Sequence, residues 1–219
     1  LTRIMPKIGT DKPLYCSKMG LKSLSRHFPQ QWNYRAVGNG EELNLGKRNL
    51  MFLETRMVHW PDSMFTYLNE DKILFSSDGF GQHYAGPEKF DDEAGDKVMH
   101  HAKKYFANIL LLYSTHIKKL LQNILDLGLE FNMICPDHGV IWRKDPAKIV
   151  NAYVRWVRQE PKQKAAVIYD TMWHSTEKMA DHIVSGILDE GVSAVPFHLR
   201  KWHRSEVMTE VFDARAVVM

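Results

Sequence analysis

MVHWPDSMFTYLNEDKILFSSDGFGQH, residues 57 to 83, decides how this chain is read. Two strand-like runs, Met64 to Leu68 and Ile73 to Phe75, flank the polar Asn69-Glu70-Asp71-Lys72, a pattern that predicts a β-hairpin. His59 stands just before the first strand and Asp78 just after the second. Antiparallel pairing returns those two points to one edge of the sheet. A third candidate, His138 in Cys135-Pro136-Asp137-His138-Gly139, follows the apolar run Phe131 to Cys135 in the same manner. Imidazole and carboxylate converging from separate strand ends suit a first-row metal held by nitrogen and oxygen. The competing reading is plain: any one of the chain's 11 histidines is more often a surface or hydrogen-bonded residue than a ligand. No compact CxxC or HExxH motif is present to decide between them.

Working outward, 44% hydrophobic and 11% aromatic residues over 219 positions support a packed core in one large or two small domains. A net charge of +3 with no long Lys/Arg run gives no reason to expect nucleic acid as a partner. No apolar run approaches the roughly 18 residues a membrane span needs, and no signal segment opens the chain, so a cytoplasmic protein is expected. Cys16 and Cys135 are isolated and read as small buried hydrophobes in a reducing compartment. The chain opens on Leu1 and stops at Ala216-Val217-Val218-Met219 inside a strand-like run, which reads as an internal stretch of a longer protein.

The first third is strand-rich. An apolar run from Leu14 to Met19 leads to a short helix over Ser23 to Phe28, and Tyr34 to Val37, Leu43 to Leu45 and Asn49 to Glu54 read as strands separated by Gly-containing turns. The acidic Phe90-Asp91-Asp92-Glu93 reads as a solvated loop or helix start, without chemistry. Apolar residues from Val98 to Leu125 recur at three- and four-residue intervals, predicting one long helix capped by Asp96 and ended by Gly128. His100, His101 and His116 on that helix read as surface residues. Pro146 opens a further helix to Val157 with Ile149, Tyr153 and Trp156 inward.

Glu160-Pro161-Lys162-Gln163-Lys164 is the expected domain junction, dividing the chain into 1–161 and 162–219. Beyond it the grammar changes. Ala165 to Tyr169 is continuously apolar, as in a strand buried on both faces. A helix from Ser175 to Glu190, a strand Ala194 to Leu199, a helix Ser205 to Phe212 and a strand Arg215 to Met219 complete half of a doubly wound α/β unit. Pro196 lacks an N–H, so its strand belongs at an edge, as the second strand does in the order 2-1-3-4-5. Between the first strand and helix lies Asp170-Thr171-Met172-Trp173-His174-Ser175-Thr176. Its hydroxyls and the free N–H groups of the helix start could take a phosphate, and an ordinary Ser/Thr helix cap is an equal alternative from these residues alone.

The wording His59-Trp60-Pro61-Asp62-Ser63-Met64, then Ser76-Ser77-Asp78-Gly79-Phe80-Gly81-Gln82-His83, then Cys135-Pro136-Asp137-His138-Gly139-Val140-Ile141-Trp142-Arg143, followed by Thr171-Met172-Trp173, resembles the flavodiiron proteins in the family's own order. The resemblance runs from about Leu14 to Met219. It implies an α/β chain: part of a metallo-β-lactamase-like αββα diiron domain, then the first half of a flavodoxin-like parallel sheet. It implies that His59 and His138 each ligate one of two non-haem irons, that Asp78 bridges them, and that Trp60 and His83 lie just behind the ligands. It assigns Thr171, Met172, Trp173, His174, Ser175 and Thr176 to FMN, with His174 where the family usually has Gly. Arg56 is a second departure, beside the metal region. The family's remaining ligands lie in a His-x-Glu-x-Asp run that this sequence does not contain, so the ligand set here is incomplete and this stretch alone is expected to be inactive.

The function implied is electron transport from a small redox donor such as rubredoxin through FMN to the iron pair, reducing oxygen to water or nitric oxide to nitrous oxide, in a head-to-tail homodimer. The alternatives are a binuclear zinc hydrolase of metallo-β-lactamase type, since the same ligands suit zinc, and a fragment that keeps only scaffold and dimer surface.

Overall fold

The computed structural model describes residues 1–219. In chain order its elements begin with α1 (Met5–Ile8), β1 (Leu14–Ser17), α2 (Lys18–His27), β2 (Tyr34–Val37), β3 (Glu42–Asn44), β4 (Asn49–Glu54), β5 (Met64–Leu68) and β6 (Ile73–Phe75). They continue with α3 (Asp91–Ala94), α4 (Lys97–Tyr105), α5 (Ser114–Asp126), β7 (Met133–Cys135), α6 (Pro146–Val157), β8 (Lys162–Tyr169), α7 (Ser175–Asp189), β9 (Ser193–His198), α8 (Arg204–Val211) and β10 (Ala214–Val218).

The central sheet has five strands in the order β3-β4-β5-β6-β7. β3 to β6 form an antiparallel meander, and β7 adds in parallel to β6 with Phe75 opposite Cys135. The alternation of β5 is visible as burial, with Phe65 and Tyr67 inward, and the expected hairpin forms with Thr66 opposite Phe75. The core over this sheet joins Phe65, Leu74, Phe80, Ile134 and Trp142 to the apolar sides of α4, α5 and α6.

The long helix is not continuous. α4 gives way to a π-helical turn, Phe106–Leu110, and a 3-10 turn, Leu111–Tyr113, before α5 begins. The wider turn shifts the inward set, so that Leu110 is fully buried, Tyr113 is only half-buried and Leu125 faces solvent. Asp96 stands at the helix start without a capping hydrogen bond from its side chain, which instead reaches Lys148 at 3.3 Å. Gly128 does end the run, at φ +61°, with Leu129 N–H donating to Ile124 at 3.2 Å in a Schellman closure. α2 starts at Lys18, five residues earlier than expected, because Ser17 Oγ accepts the Gly20 N–H at 2.9 Å as an N-cap. The acidic run forms the short α3, and Arg143 bonds Asp92 at 2.9 Å and Glu93 at 3.2 Å.

The second sheet is parallel, in the order β10-β8-β9, which is the 3-1-2 arrangement of a flavodoxin-like half. Pro196 lies on β9, an edge strand, opposite Val167. β8 begins at Lys162, inside the polar stretch read as a junction. Lys164 is legible as a strand residue only with its partners in view: it is 9% exposed and meets Asp213 at 2.5 Å and Glu210 at 2.6 Å. Lys103 of α4 reaches the same Asp213 at 2.9 Å, and Lys104 pairs with Glu206, so this ionic group ties α4 to α8 and to the start of β8. α7 buries only Ala180 fully, while Met179 and Leu188 of its expected inner face remain exposed.

Burial pushes the carboxyls of Asp213 and Glu210 up, but the ammonium groups of Lys164 and Lys103 outweigh it, and both acids lie below their ordinary range. With folded values depressed, their stabilisation is complete above the unfolded values and is lost as pH falls below about 4 toward the folded ones. Thermal unfolding followed from pH 7 to pH 3 should therefore show a fall in melting temperature at the acid end. Asp213→Asn should melt lower at pH 7 and show a flatter acid slope.

Candidate metal centre and flavin loop

The parallel register of β6 and β7 builds the site. Phe75 and Cys135 are paired, and Asp78 and His138 each come three residues later, so the two side chains leave the sheet at one level. The ladder continues beyond the strands, with Ser76 N–H donating to Cys135 at 3.0 Å and Asp137 N–H to Ser77 at 2.8 Å. His59 arrives at the same end through the turn between β4 and β5, where Thr55 N–H donates to the Ser63 carbonyl at 3.1 Å.

The three residues read from the sequence converge on one carboxylate. Asp78 Oδ2 lies 3.5 Å from His59 Nε2, and Asp78 Oδ1 lies 3.4 Å from His138 Nε2. All three side chains are partly shielded, at 22%, 20% and 31% exposure for His59, Asp78 and His138. The opposite ring nitrogen of His138, Nδ1, lies 3.1 Å from the Gln82 carbonyl. A carbonyl oxygen only accepts, so Nδ1 carries a proton, and Nε2 is the ring atom turned toward the Asp78 carboxylate. The donor chemistry fits a pair of metal positions, one served by His59 with Oδ2 and one by His138 with Oδ1. It supplies only two donors to each, and no group of three or more His, Cys, Asp or Glu side chains closes around a single point.

The backbone around these three residues is unusual. Met57, Ser77 and Phe80 have φ of +67°, +46° and +64°, a region non-glycine residues seldom adopt. Phe80 is held there on every side. Its N–H donates to Tyr153 Oη at 2.9 Å, and its carbonyl accepts from Trp142 Nε1 at 2.8 Å and Gln82 Nε2 at 3.0 Å. Tyr153→Phe would strand the buried Phe80 N–H at a cost of about 1–3 kcal/mol, read as a lower denaturation midpoint with an unchanged m-value.

Gln82, Tyr105 and Tyr113 are site residues that sequence reasoning missed. Gln82 is fully buried and clasps the loops that carry Asp78 and His138: its Oε1 accepts the Val140 N–H at 2.7 Å and its N–H reaches the His138 carbonyl at 3.4 Å. Only its place inside Gly81-Gln82-His83, between two candidate residues, could have singled it out. Tyr105 packs edge-on against His138 and His83 at 4.9 and 4.8 Å, with its buried hydroxyl unpartnered, and Tyr113 lies 6.2 Å from His59. Burial and the Asp78 charge push the Tyr105 hydroxyl up. Of the two residues expected behind the ligands, Trp60 is 60% exposed at 5.6 Å from His59, and His83 packs 5.3 Å from His138. Burial and the neighbouring His138 imidazole hold His83 below the ordinary range, with Asp78 opposing. Arg56 is exposed on a groove with Lys18 and Glu54 that His59, Asp78 and His138 do not line. A cavity of about 910 Å³, walled by α2 and the 60–64 and 77–78 segments, opens onto Asp78.

At the second site, the loop from Asp170 to His174 leads into α7 from the C-terminal end of β8. Thr171 is half-buried, and Met172, Trp173, His174, Ser175 and Thr176 are exposed. His174, where glycine was expected, does take the left-handed conformation, at φ +64°. It occupies the N-cap position without a capping hydrogen bond and pairs through Nδ1 with Glu177. The ordinary Ser/Thr cap is therefore absent, and Ser175 is the first helical residue, which leaves the first-turn N–H groups of a 15-residue helix uncapped by any side chain. Those donors, with the hydroxyls of Thr171, Ser175 and Thr176, fit a phosphate.

The family model described as "ODP family beta lactamase" matches residues 3–139. A nitric oxide reductase of Moorella thermoacetica is 44% identical over 211 residues, covering 95% of this chain and 53% of that protein. An anaerobic nitric oxide reductase flavorubredoxin of Pectobacterium atrosepticum is 36% identical, covering 100% and 44%. Among solved structures, rubredoxin oxygen:oxidoreductase from Desulfovibrio gigas superposes with a TM-score of 0.88 at 38% identity, over 94% of this chain and 52% of that one. The chain thus spans about half the length of the curated relatives it matches.

Proposed function

Because this chain belongs to the ODP β-lactamase family and, with its relatives, to the flavodiiron proteins, we propose that the whole protein is an oxidoreductase reducing nitric oxide, oxygen or both at an iron pair supplied with electrons by FMN. The observation that carries this reading is the single carboxylate of Asp78 turned between two imidazoles, 3.5 and 3.4 Å from their Nε2 atoms. One carboxylate so placed can hold two cations side by side and offset their repulsion, while neutral imidazoles suit ferrous iron.

In this proposal His59 and His138 each ligate one iron and Asp78 bridges. Gln82 holds His138 in the tautomer that leaves Nε2 free, and His83 and Trp60 flank the ligands. The uncapped start of α7 takes the FMN phosphate, with Thr171, Ser175 and Thr176 as hydroxyl donors, His174 shaping the turn and Met172 and Trp173 offering apolar surface toward the flavin. When bound, FMN and the iron pair supply the electron storage and the open coordination positions that a reduction requires. The chain's own contribution is placement: Tyr105 packs edge-on against the His138 ring at 4.9 Å and Tyr113 lies 6.2 Å from the His59 ring.

Rubredoxin or a similar small protein is proposed as donor, and a head-to-tail homodimer as the assembly that brings flavin and iron together. No helix is long and apolar enough to cross a membrane, and two unbridged cysteines accord with a cytoplasmic setting, which we also propose. The zinc hydrolase reading leaves the uncapped flavin-type loop without a use. Metal and flavin analysis of the full-length protein, with oxygen and nitric oxide consumption under reducing conditions, tests the reading. Iron and FMN with gas consumption is the expected result, and zinc without flavin would replace it by the hydrolase.

A further inference from the structure

The loop after β9 reads His198-Leu199-Arg200-Lys201-Trp202-His203-Arg204, with three permanent cations, two further histidines and no acidic residue. Every residue from Leu199 to Arg204 is exposed, including the apolar Leu199 and Trp202, each at 47%. The segment is nonetheless fixed. Leu199 N–H donates to the Tyr169 carbonyl at 3.0 Å, and the His198 carbonyl accepts from Lys201 at 2.9 Å and Trp202 at 3.1 Å. The indole also packs edge-on against the buried Phe197 at 5.4 Å.

This loop adjoins the flavin loop. β8 and β9 are parallel, so the segments that follow them emerge at one end of the sheet. Arg200 Nε bonds Asp170 at 3.0 Å, and Lys201 lies 3.8 Å from Glu177. A rigid, partly apolar platform centred on a tryptophan and rimmed by cations has the composition of a protein docking site. The indole serves as anchor, the cations steer an oppositely charged partner, and the ordered backbone lowers the entropy lost on binding.

Resting on the flavodiiron reading, we infer that Leu199 to Arg204 is the docking face for a small acidic electron-transfer protein. The partner's negative surface meets Lys201 and Arg204, and its apolar centre covers Trp202 and Leu199. The cations Lys201 and Arg204 suit a partner with a negative surface, and the contact of this face with the loop before α7 puts such a partner on the side where FMN is proposed to sit. None of these residues is asked to touch the flavin, so the face is separable from the cofactor site.

The test measures direct binding of a purified rubredoxin to the full-length protein at low and high salt, for wild type, Lys201→Glu/Arg204→Glu and Trp202→Ala. The expected result is at least about a tenfold weaker dissociation constant for each variant at low salt, with the wild-type affinity falling as salt screens the charges. Flavin content, dithionite reduction and molecular mass in solution should be unchanged. Wild-type affinity in both variants would overturn the proposal. So would a fall in molecular mass for Trp202→Ala, because the face would then be a contact between copies of this chain. Binding is read without electron transfer, so the two readings fail separately. A flavin-free protein whose binding is still lost in the variants retains the docking face and loses the reductase reading. A flavin-loaded protein whose variants bind normally does the reverse.

Discussion

Replacing Asp78 with Ala should empty both metal positions at once. Its two carboxylate oxygens each face a different imidazole, at 3.5 and 3.4 Å, so the substitution removes a donor from each position and the charge that lets two cations sit together. Loss of an outer hydrogen-bond partner costs roughly 10–100-fold in metal affinity, and loss of a shared direct ligand should exceed about 100-fold. His59→Ala and His138→Ala each remove one donor from one position. The expected pattern in metal analysis of the full-length protein is near-complete loss for Asp78→Ala and partial loss for each histidine variant. Circular dichroism should stay native throughout, because Asp78 lies at a strand end and belongs to no part of the apolar core. Equal, partial losses for all three variants would contradict a bridging role.

Gly139→Ala should be the most damaging single methyl group near the site. Gly139 sits at φ +84°, and a Cβ there would lie 2.7 Å from the Gln82 carbonyl, closer than any real contact, with the Gln82 amide nearer still. That carbonyl is the acceptor for His138 Nδ1, and the amide holds Val140. Left-handed strain of about 1–2 kcal/mol adds to about 1–3 kcal/mol of overpacking. The substitution should thus lower stability by about 2–5 kcal/mol and release His138 from its fixed tautomer. Denaturant unfolding gives the first number, and the loss of one metal position with retention of the other gives the second. A stable protein with full metal content would show that the two loops can separate without loss of the site.

The hairpin, the edge position of Pro196 and the convergence of His59, Asp78 and His138 were legible because strand alternation and register are local, countable properties. The break in the long helix was not. Nothing in Phe106-Ala107-Asn108-Ile109-Leu110 marks it, since no Gly or Pro intervenes and apolar spacing resumes on either side. Its consequence is structural: Tyr105 and Tyr113, on either side of the break, face the two imidazoles. The polar start of β8 was hidden for a different reason. Lys164 is buried only because Asp213 and Glu210, more than forty residues later, neutralise it, and no local pattern carries that information. Gln82 was hidden likewise, since a buried amide joining two loops reads in sequence as an ordinary polar residue. α7 packs on β8 and β9, and Met179 and Leu188 of its apolar side lie beyond that contact and stay exposed.

The most direct test of the central claim is Mössbauer spectroscopy of the iron-loaded, full-length protein. An antiferromagnetically coupled iron pair, lost in Asp78→Ala, is the result this geometry predicts. Isolated, uncoupled iron, or a coupled pair that survives Asp78→Ala, would show that the carboxylate between His59 and His138 does not bridge two metals.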